Sequence, residues 1–254
     1  MGLGNFADLL LFILGLVFGS FYAALSYRLP KEISIFGGRS FCDSCRHKIA
    51  WYDNIPLLSF VILMGKCRSC KKSVSLRYPS IEFITATGFL IIYRNFGSNF
   101  VDLSYFLLIF SVLVMIFIID FEKRIIPDSI VFFGILISFL YLLIKPEPSL
   151  LLSGLFSGFG TASLLLVIHL LTHGRGMGLG DVKFAVLGGM IVGLKFSLLW
   201  LFMAFLTGGV VGSILILRGK AGLKSQIAFG PFLVLGVLLV FLYGDKVSRF
   251  MGLL

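Results

Sequence analysis

Apolar residues run through most of this chain in long stretches, and polar residues break the stretches at intervals suited to membrane helices. Runs approaching the roughly 17 to 25 residues that a helix needs to cross a bilayer extend from Leu9 to Tyr27, Leu103 to Ile119, Ile130 to Ile144, Leu150 to Leu171, Phe196 to Leu217 and Ile227 to Tyr243. A shorter run from Ile81 to Tyr93 is read in the same way. Phe184 to Leu194 is too short alone, but a polar break at Lys195 and a full-length run follow it, so it counts as an eighth, short helix beginning near Asp181. Pro56 to Met64 is apolar but far below spanning length, which suits an interfacial or packed segment. The pattern predicts an all-α polytopic membrane protein of about eight transmembrane helices. It divides the chain into a first helix (1–27), an aqueous loop module (28–80) and a transmembrane bundle (81–254).

Composition excludes a water-soluble globule: 58% of the 254 residues are hydrophobic and only 13% are charged, against about half and a quarter in soluble domains. The formal charge of +10 suits either nucleic acid or a basic membrane face, and its distribution decides between them. With the N-terminus outside, ten Lys and Arg between Arg28 and Arg77 fall in the first inner loop. Lys123 and Arg124, Arg175 and Lys183, and Arg218, Lys220 and Lys224 fall in the later inner loops, leaving Arg94, Lys145, Lys195, Lys246 and Arg249 outside. The positive-inside rule therefore places both termini outside and the loop module in the cytoplasm, with no nucleic acid needed to explain the charge. Leu9 to Tyr27 lacks the basic segment that precedes the apolar core of a signal peptide, so it is read as a retained helix.

Three glycine pairs, Gly15 and Gly19, Gly154 and Gly158, and Gly208 and Gly212, lie four residues apart within apolar runs and predict close helix packing.

All four cysteines lie in the loop module, as Cys42-Asp-Ser-Cys45 and Cys67-Arg-Ser-Cys70. Each pair turns two thiolates toward one point, and four thiolates complete a closed tetrahedral zinc site that organises the loop without an open catalytic position. Two disulfides are the alternative, disfavoured on a reducing cytoplasmic face.

Ionisable residues beside spanning helices are functional candidates by default. Asp120-Phe-Glu-Lys-Arg-Ile-Ile-Pro127-Asp128 joins two helices, and Gly176-Met-Gly178-Leu-Gly180-Asp181 opens another. Pro127 keeps Ile126 out of the helical region, so Asp128 is placed to cap the next helix. Two aspartates brought together share a proton, which is the machinery of aspartic proteolysis.

Taken in order, these motifs resemble the bacterial type IV prepilin peptidases, the bifunctional leader peptidase and N-methyltransferase enzymes of the GxGD aspartic protease class. The resemblance runs from Gly15-Leu-Val-Phe-Gly19-Ser20-Phe21 and Tyr27-Arg28-Leu29-Pro30 through the cysteines and Trp51-Tyr52-Asp53-Asn54-Ile55-Pro56. It continues with Gly65-Lys66-Cys67-Arg68, Arg77-Tyr78-Pro79 and Glu82, then Asp120, Ile126-Pro127-Asp128 and Gly176 to Lys183. Ala23 and Arg175 depart from the family pattern. The resemblance implies an inner-membrane peptidase with Asp120 and Asp181 as catalytic aspartates. It also implies zinc on the cysteines, S-adenosylmethionine as methyl donor, and a prepilin or pseudopilin in the bilayer as substrate. A peptidase without methylation, or a zinc-stabilised transport or assembly component, are the rival readings.

Other polar residues leave two readings open. Glu82, near the start of the second helix, suits either the helix N-terminal field or, as the resemblance implies, a cofactor-binding part in methyl transfer. His169 and His173 are read as interfacial polar residues, Lys183 as a snorkelling or anion-binding lysine, and Trp51 and Tyr52 as packing over the metal module or at headgroup level.

Overall fold

The computed structural model describes residues 3–31, 40–42, 44–220, 222 and 227–250, and no side chains for 3–5, 242 and 245–250. Two of the basic residues in the sidedness argument, Arg39 and Lys224, lie outside the described residues. The long elements are α1 (Leu3–Arg28), α3 (Arg77–Phe96), α4 (Phe100–Lys123), α5 (Asp128–Ile144), α6 (Pro148–Leu171), α7 (Leu179–Leu217) and α8 (Gly230–Phe250), with a short α2 (Leu58–Ile62) inside the loop module. Among the described residues there is no strand beyond two isolated bridges. Among the described residues four helical stretches are long and apolar enough to cross a membrane, Phe6–Lys31, Phe100–Lys123, Pro148–Leu171 and Leu179–Leu217. The chain forms two compact units, Met1–Val114 and Met115–Leu254.

In the first unit α1 and α3 run antiparallel, and their register can be followed along the whole contact. Arg94 donates to Asp8 at 2.8 Å, Gly15 abuts Ala86, Gly19 abuts Glu82, and Arg77 donates to Ser26 Oγ at 2.6 Å and to the Ala23 carbonyl. A methyl group at Gly15 or Gly19 would lie 2.5 or 2.6 Å from backbone of α3, so the missing side chains are what let the backbones approach. Tyr22 reaches from α1 to Ser111 of α4 with a 2.6 Å hydrogen bond. Pro56 to Met64 becomes α2 and its flanking turns, anchored on this hairpin and not spanning.

In the second unit α7 is two arms. Gly193, at φ 71° and ψ 172°, interrupts the helix in a backbone region essentially confined to glycine. The ring of Trp200 lies against Gly188, and its centroid is 6.4 Å from that of Phe184. Sixteen residues of straight helix would separate Phe184 and Trp200 by about 24 Å, so the second arm folds back on the first. Leu194 N–H, left without a helical partner at the turn, donates to Ser153 Oγ at 2.9 Å. The short helix expected before Lys195 is the first arm, and counting both arms gives eight long helical segments among the described residues. Trp200 is fully buried and donates from Nε1 to the Leu233 carbonyl at 2.9 Å, fastening the turn to α8. Gly158 and Gly189 bring α6 and the first arm into backbone contact. Gly208 faces the rings of Phe229 and Phe232, and Gly212 the Ile227 side chain, in looser contacts of 3.3 to 3.5 Å.

Candidate functional site

The first unit assembles the cysteines in two matched turns. Arg46 N–H donates to the Cys42 carbonyl at 2.9 Å, and Lys71 N–H to the Cys67 carbonyl at 3.0 Å. Each turn closes at that residue with a positive φ, 60° at Arg46 and 58° at Lys71, and an antiparallel bridge follows, Phe41 with Lys48 and Lys66 with Ser73. The four sulfur atoms lie within 4.8 Å of one another, and Cys42 Sγ is 3.9 Å from Cys70 Sγ. That is close to the separation of about 3.8 Å expected for ligands at 2.3 Å on a tetrahedral centre, and well beyond a disulfide bond. All four are free thiols suited to one metal ion. The backbone N–H groups of Cys70 and Ser69 hold the Cys67 thiol down at about 7, toward the thiolate that a metal needs.

Asp53 ties the two halves of the module together. Its carboxylate accepts two hydrogen bonds from Arg68 Nε and one from Nη2, at 2.7 to 3.0 Å, and the guanidinium holds the carboxyl below its ordinary range. The Arg68 guanidinium also lies 5.5 Å from the Tyr52 ring centroid. Trp51 and Tyr52 pack edge-on against each other, and Trp51 keeps an open face at 74% exposure. The spacing of Asp53 and Arg68 gives no hint of this pairing, because it depends on how the loop folds.

Glu82 lies in the second turn of α3, deeper than the helix start, and is 7% exposed. One carboxylate oxygen accepts the Leu57 N–H at 2.8 Å, and the Ser20 hydroxyl approaches it from α1. Leu57, at φ 57° and ψ −46°, is the centre of a strained γ-turn closed by Leu58 N–H on the Pro56 carbonyl at 2.6 Å. Glu82 also lines a cavity of about 1140 Å³ between α1, the start of α3 and the cysteine module.

The second unit brings the other candidates together. Asp120 lies near the C-terminal end of α4 and Asp181 in the first turn of α7, 4% and 8% exposed. Asp181 Oδ2 accepts the Gly178 N–H at 3.0 Å, so it caps its own helix. Gly230, at the start of α8, faces Asp120 with its backbone, and a methyl group there would lie 2.6 Å from Asp120 Oδ2. That oxygen is buried and has no hydrogen-bond partner among the described residues. Ile126 fills the space between Gly180 and Gly230, 3.1 Å from a side chain added at either. The two carboxylates are within electrostatic reach of one another.

Two expectations change here. Asp128 does not cap α5 through its side chain: Pro127 takes the cap position, Asp128 is the first helical residue, and its carboxylate turns to Lys183 instead. Lys183, read as a snorkelling or anion-binding lysine, thus has an anionic partner within the protein. His169 Nδ1 pairs with the Met177 carbonyl at 2.7 Å, a tether for the glycine-rich turn before Asp181.

Residues 13–96 match the model of the bacterial peptidase A24 N-terminal domain, and residues 107–213 that of the type IV leader peptidase family. The chain is 33% identical to a prepilin leader peptidase/N-methyltransferase of Bacillus subtilis, over 95% of this chain and 96% of the relative. It is 31% identical to one of Vibrio cholerae, over 93% and 97%, and 28% identical to one of Pseudomonas aeruginosa, over 93% and 90%. No solved structure matches the chain.

Proposed function

Because the chain belongs to the prepilin leader peptidase/N-methyltransferase family, we propose that it cleaves the leader from a prepilin or pseudopilin at the cytoplasmic face of the membrane. It then methylates the new N-terminus. The observation that carries the peptidase half is the buried pair Asp120 and Asp181, with one Asp120 oxygen left unsatisfied. Buried polar atoms are nearly always hydrogen-bonded, and an exception calls for an explanation. A scissile carbonyl supplies the missing partner.

Asp181 is the base. The free amides of the α7 N-terminus and the Gly178 N–H favour its charge, whereas the free carbonyls at the end of α4 disfavour charge on Asp120. A water molecule loses a proton to Asp181 as its oxygen attacks the scissile carbonyl carbon, and Asp120 gives its proton to the carbonyl oxygen. When the carbon–nitrogen bond breaks, the proton held by Asp181 passes to the leaving amine and one hydroxyl of the diol returns its proton to Asp120, which leaves the leader as a carboxylic acid and restores both aspartates. The scissile bond of a substrate with a basic leader and an apolar helix sits at the membrane edge. The concentration of Lys and Arg in the loops that the positive-inside rule assigns to the cytoplasm supports that placement.

Cys42, Cys45, Cys67 and Cys70 would hold a structural zinc, since four thiolates and no open position suit zinc rather than catalysis. S-adenosylmethionine would supply an electrophilic methyl group to the new amine. The cavity in the first unit fits a ligand of that kind, with room for a nucleoside and both aromatic and charged walls.

Incubating detergent-solubilised protein with a prepilin and S-adenosylmethionine, followed by mass spectrometry, tests both halves. The expected product is cleaved and N-methylated. An intact prepilin would refute the peptidase reading, and a cleaved but unmethylated product would refute the methyltransferase one.

A further inference from the structure

We infer that the cavity beside the cysteine module is the methyl-donor site and that Glu82 faces the donor's sulfonium there, an inference that rests on the methyl-transfer half of the proposed function. The cavity, about 1140 Å³, is bounded by Ser20 and Phe21 of α1, Glu82 of α3 and the inner side of the module. Its chemistry is layered. Phe21, Tyr27, Phe41, Tyr52, Phe60 and Tyr78 supply aromatic wall, while Arg28, Arg46, Lys48 and Lys66 contribute positive charge. Among the described residues two acids, Asp53 and Glu82, line it, and Asp53 is held by Arg68 in a bidentate pair. Of these two, Glu82 is the one without a cationic partner, and it is buried at the cavity wall.

S-adenosylmethionine carries a flat purine, a carboxylate, an α-ammonium and a sulfonium on one frame, so a single ligand accounts for the aromatic wall, the basic groups and the buried acid, and S-adenosylhomocysteine, which keeps the ammonium, isolates the sulfonium. The α-ammonium of a processed substrate would account for Glu82 alone. A carboxylate beside the sulfonium stabilises the donor's positive charge and so contributes to binding. Nothing in this contact forms or breaks a bond.

Glu82 also has a structural task, because it accepts the Leu57 N–H and so stabilises the strained γ-turn centred on Leu57. Glu82→Gln separates the two. The amide oxygen still accepts that hydrogen bond, but the charge is gone. Calorimetry on the full-length protein in detergent, with S-adenosylmethionine and with the uncharged thioether S-adenosylhomocysteine, reads the difference. The unaltered protein is expected to favour the sulfonium about tenfold, as for a charge-assisted contact in a partly desolvated site. Glu82→Gln should bring the ratio to about one, with zinc content and melting temperature unchanged.

An unaltered ratio in folded Glu82→Gln would overturn the inference and leave Glu82 as a latch. Should that variant fail to fold, the unaltered protein still decides: equal affinity for the two nucleosides overturns the inference. Failure of the underlying reading shows differently, as an unmodified protein that binds neither nucleoside and yields only unmethylated product.

Discussion

Lys183 Nζ stands 2.8 Å from both carboxylate oxygens of Asp128, joining the first turn of α5 to the second turn of α7, two residues beyond Asp181. The two side chains are 41% and 55% exposed, and an ion pair so open to solvent is worth only about 0 to 1 kcal/mol. Asp128→Asn should therefore fold normally and keep substantial cleavage, and the exchanged pair Asp128→Lys with Lys183→Asp should match the unaltered protein. Thermal unfolding and a prepilin cleavage assay check this. A folded but inactive Asp128→Asn protein would mean that Asp128, not Asp120, is the working acid of its motif.

Asp120→Asn and Asp181→Asn should each abolish cleavage at every pH, because neither amide can take or give the proton the reaction needs. Gly230→Ala is the subtler test. Its methyl group would lie 2.6 Å from Asp120 Oδ2 and push the carboxyl off its line to the substrate. A shift of that size should lower the cleavage rate by about tenfold or more. Single-turnover kinetics with circular dichroism separates this from unfolding, and a fully active Gly230→Ala enzyme would place the reacting group elsewhere.

Purified protein should hold about one zinc per chain. Replacing any one of the four cysteines by Ser should release the metal and loosen the module, since the binding energy of such a site is folding energy. Acidification should do the same reversibly, because protons compete with the metal for the thiolates. Metal analysis across a pH series, with thiol-blocking mass spectrometry, makes the comparison, and mapped disulfides without zinc would contradict it.

The reversal of α7 depends on two glycines. Gly193→Ala should cost about 1 to 3 kcal/mol, because alanine is strained at φ 71° and ψ 172°. Gly188→Ala should cost about 1 to 3 kcal/mol by overpacking against the Trp200 ring. Unfolding in mixed detergent micelles reads both, and silent substitutions would argue against the folded-back arm.

The sequence determined those features that one run or one short motif is enough to specify. Apolar length gave the helices, because a bilayer demands about twenty residues of apolar surface in each helix that crosses it. The two Cys-x-x-Cys pairs marked four thiols able to hold one metal ion, because each turn converges two thiols by local geometry alone. Gly15 and Gly19, spaced one helical turn apart, announced a close packing face before its partner was known. Tertiary structure decided the rest, wherever a residue's role belongs to a distant neighbour. Asp128 looked like a cap from its place after Pro127, yet the fold gives Pro127 the cap position and brings Lys183, fifty-five residues away, to the Asp128 carboxylate. Glu82 had a local helix-end explanation until folding buried it under the Leu57 amide. Gly230, in no motif the sequence singled out, acquires its importance because α8 begins against Asp120. A charge or a missing side chain acts across a few ångströms of space, and only the packed chain fixes which residues share those few ångströms.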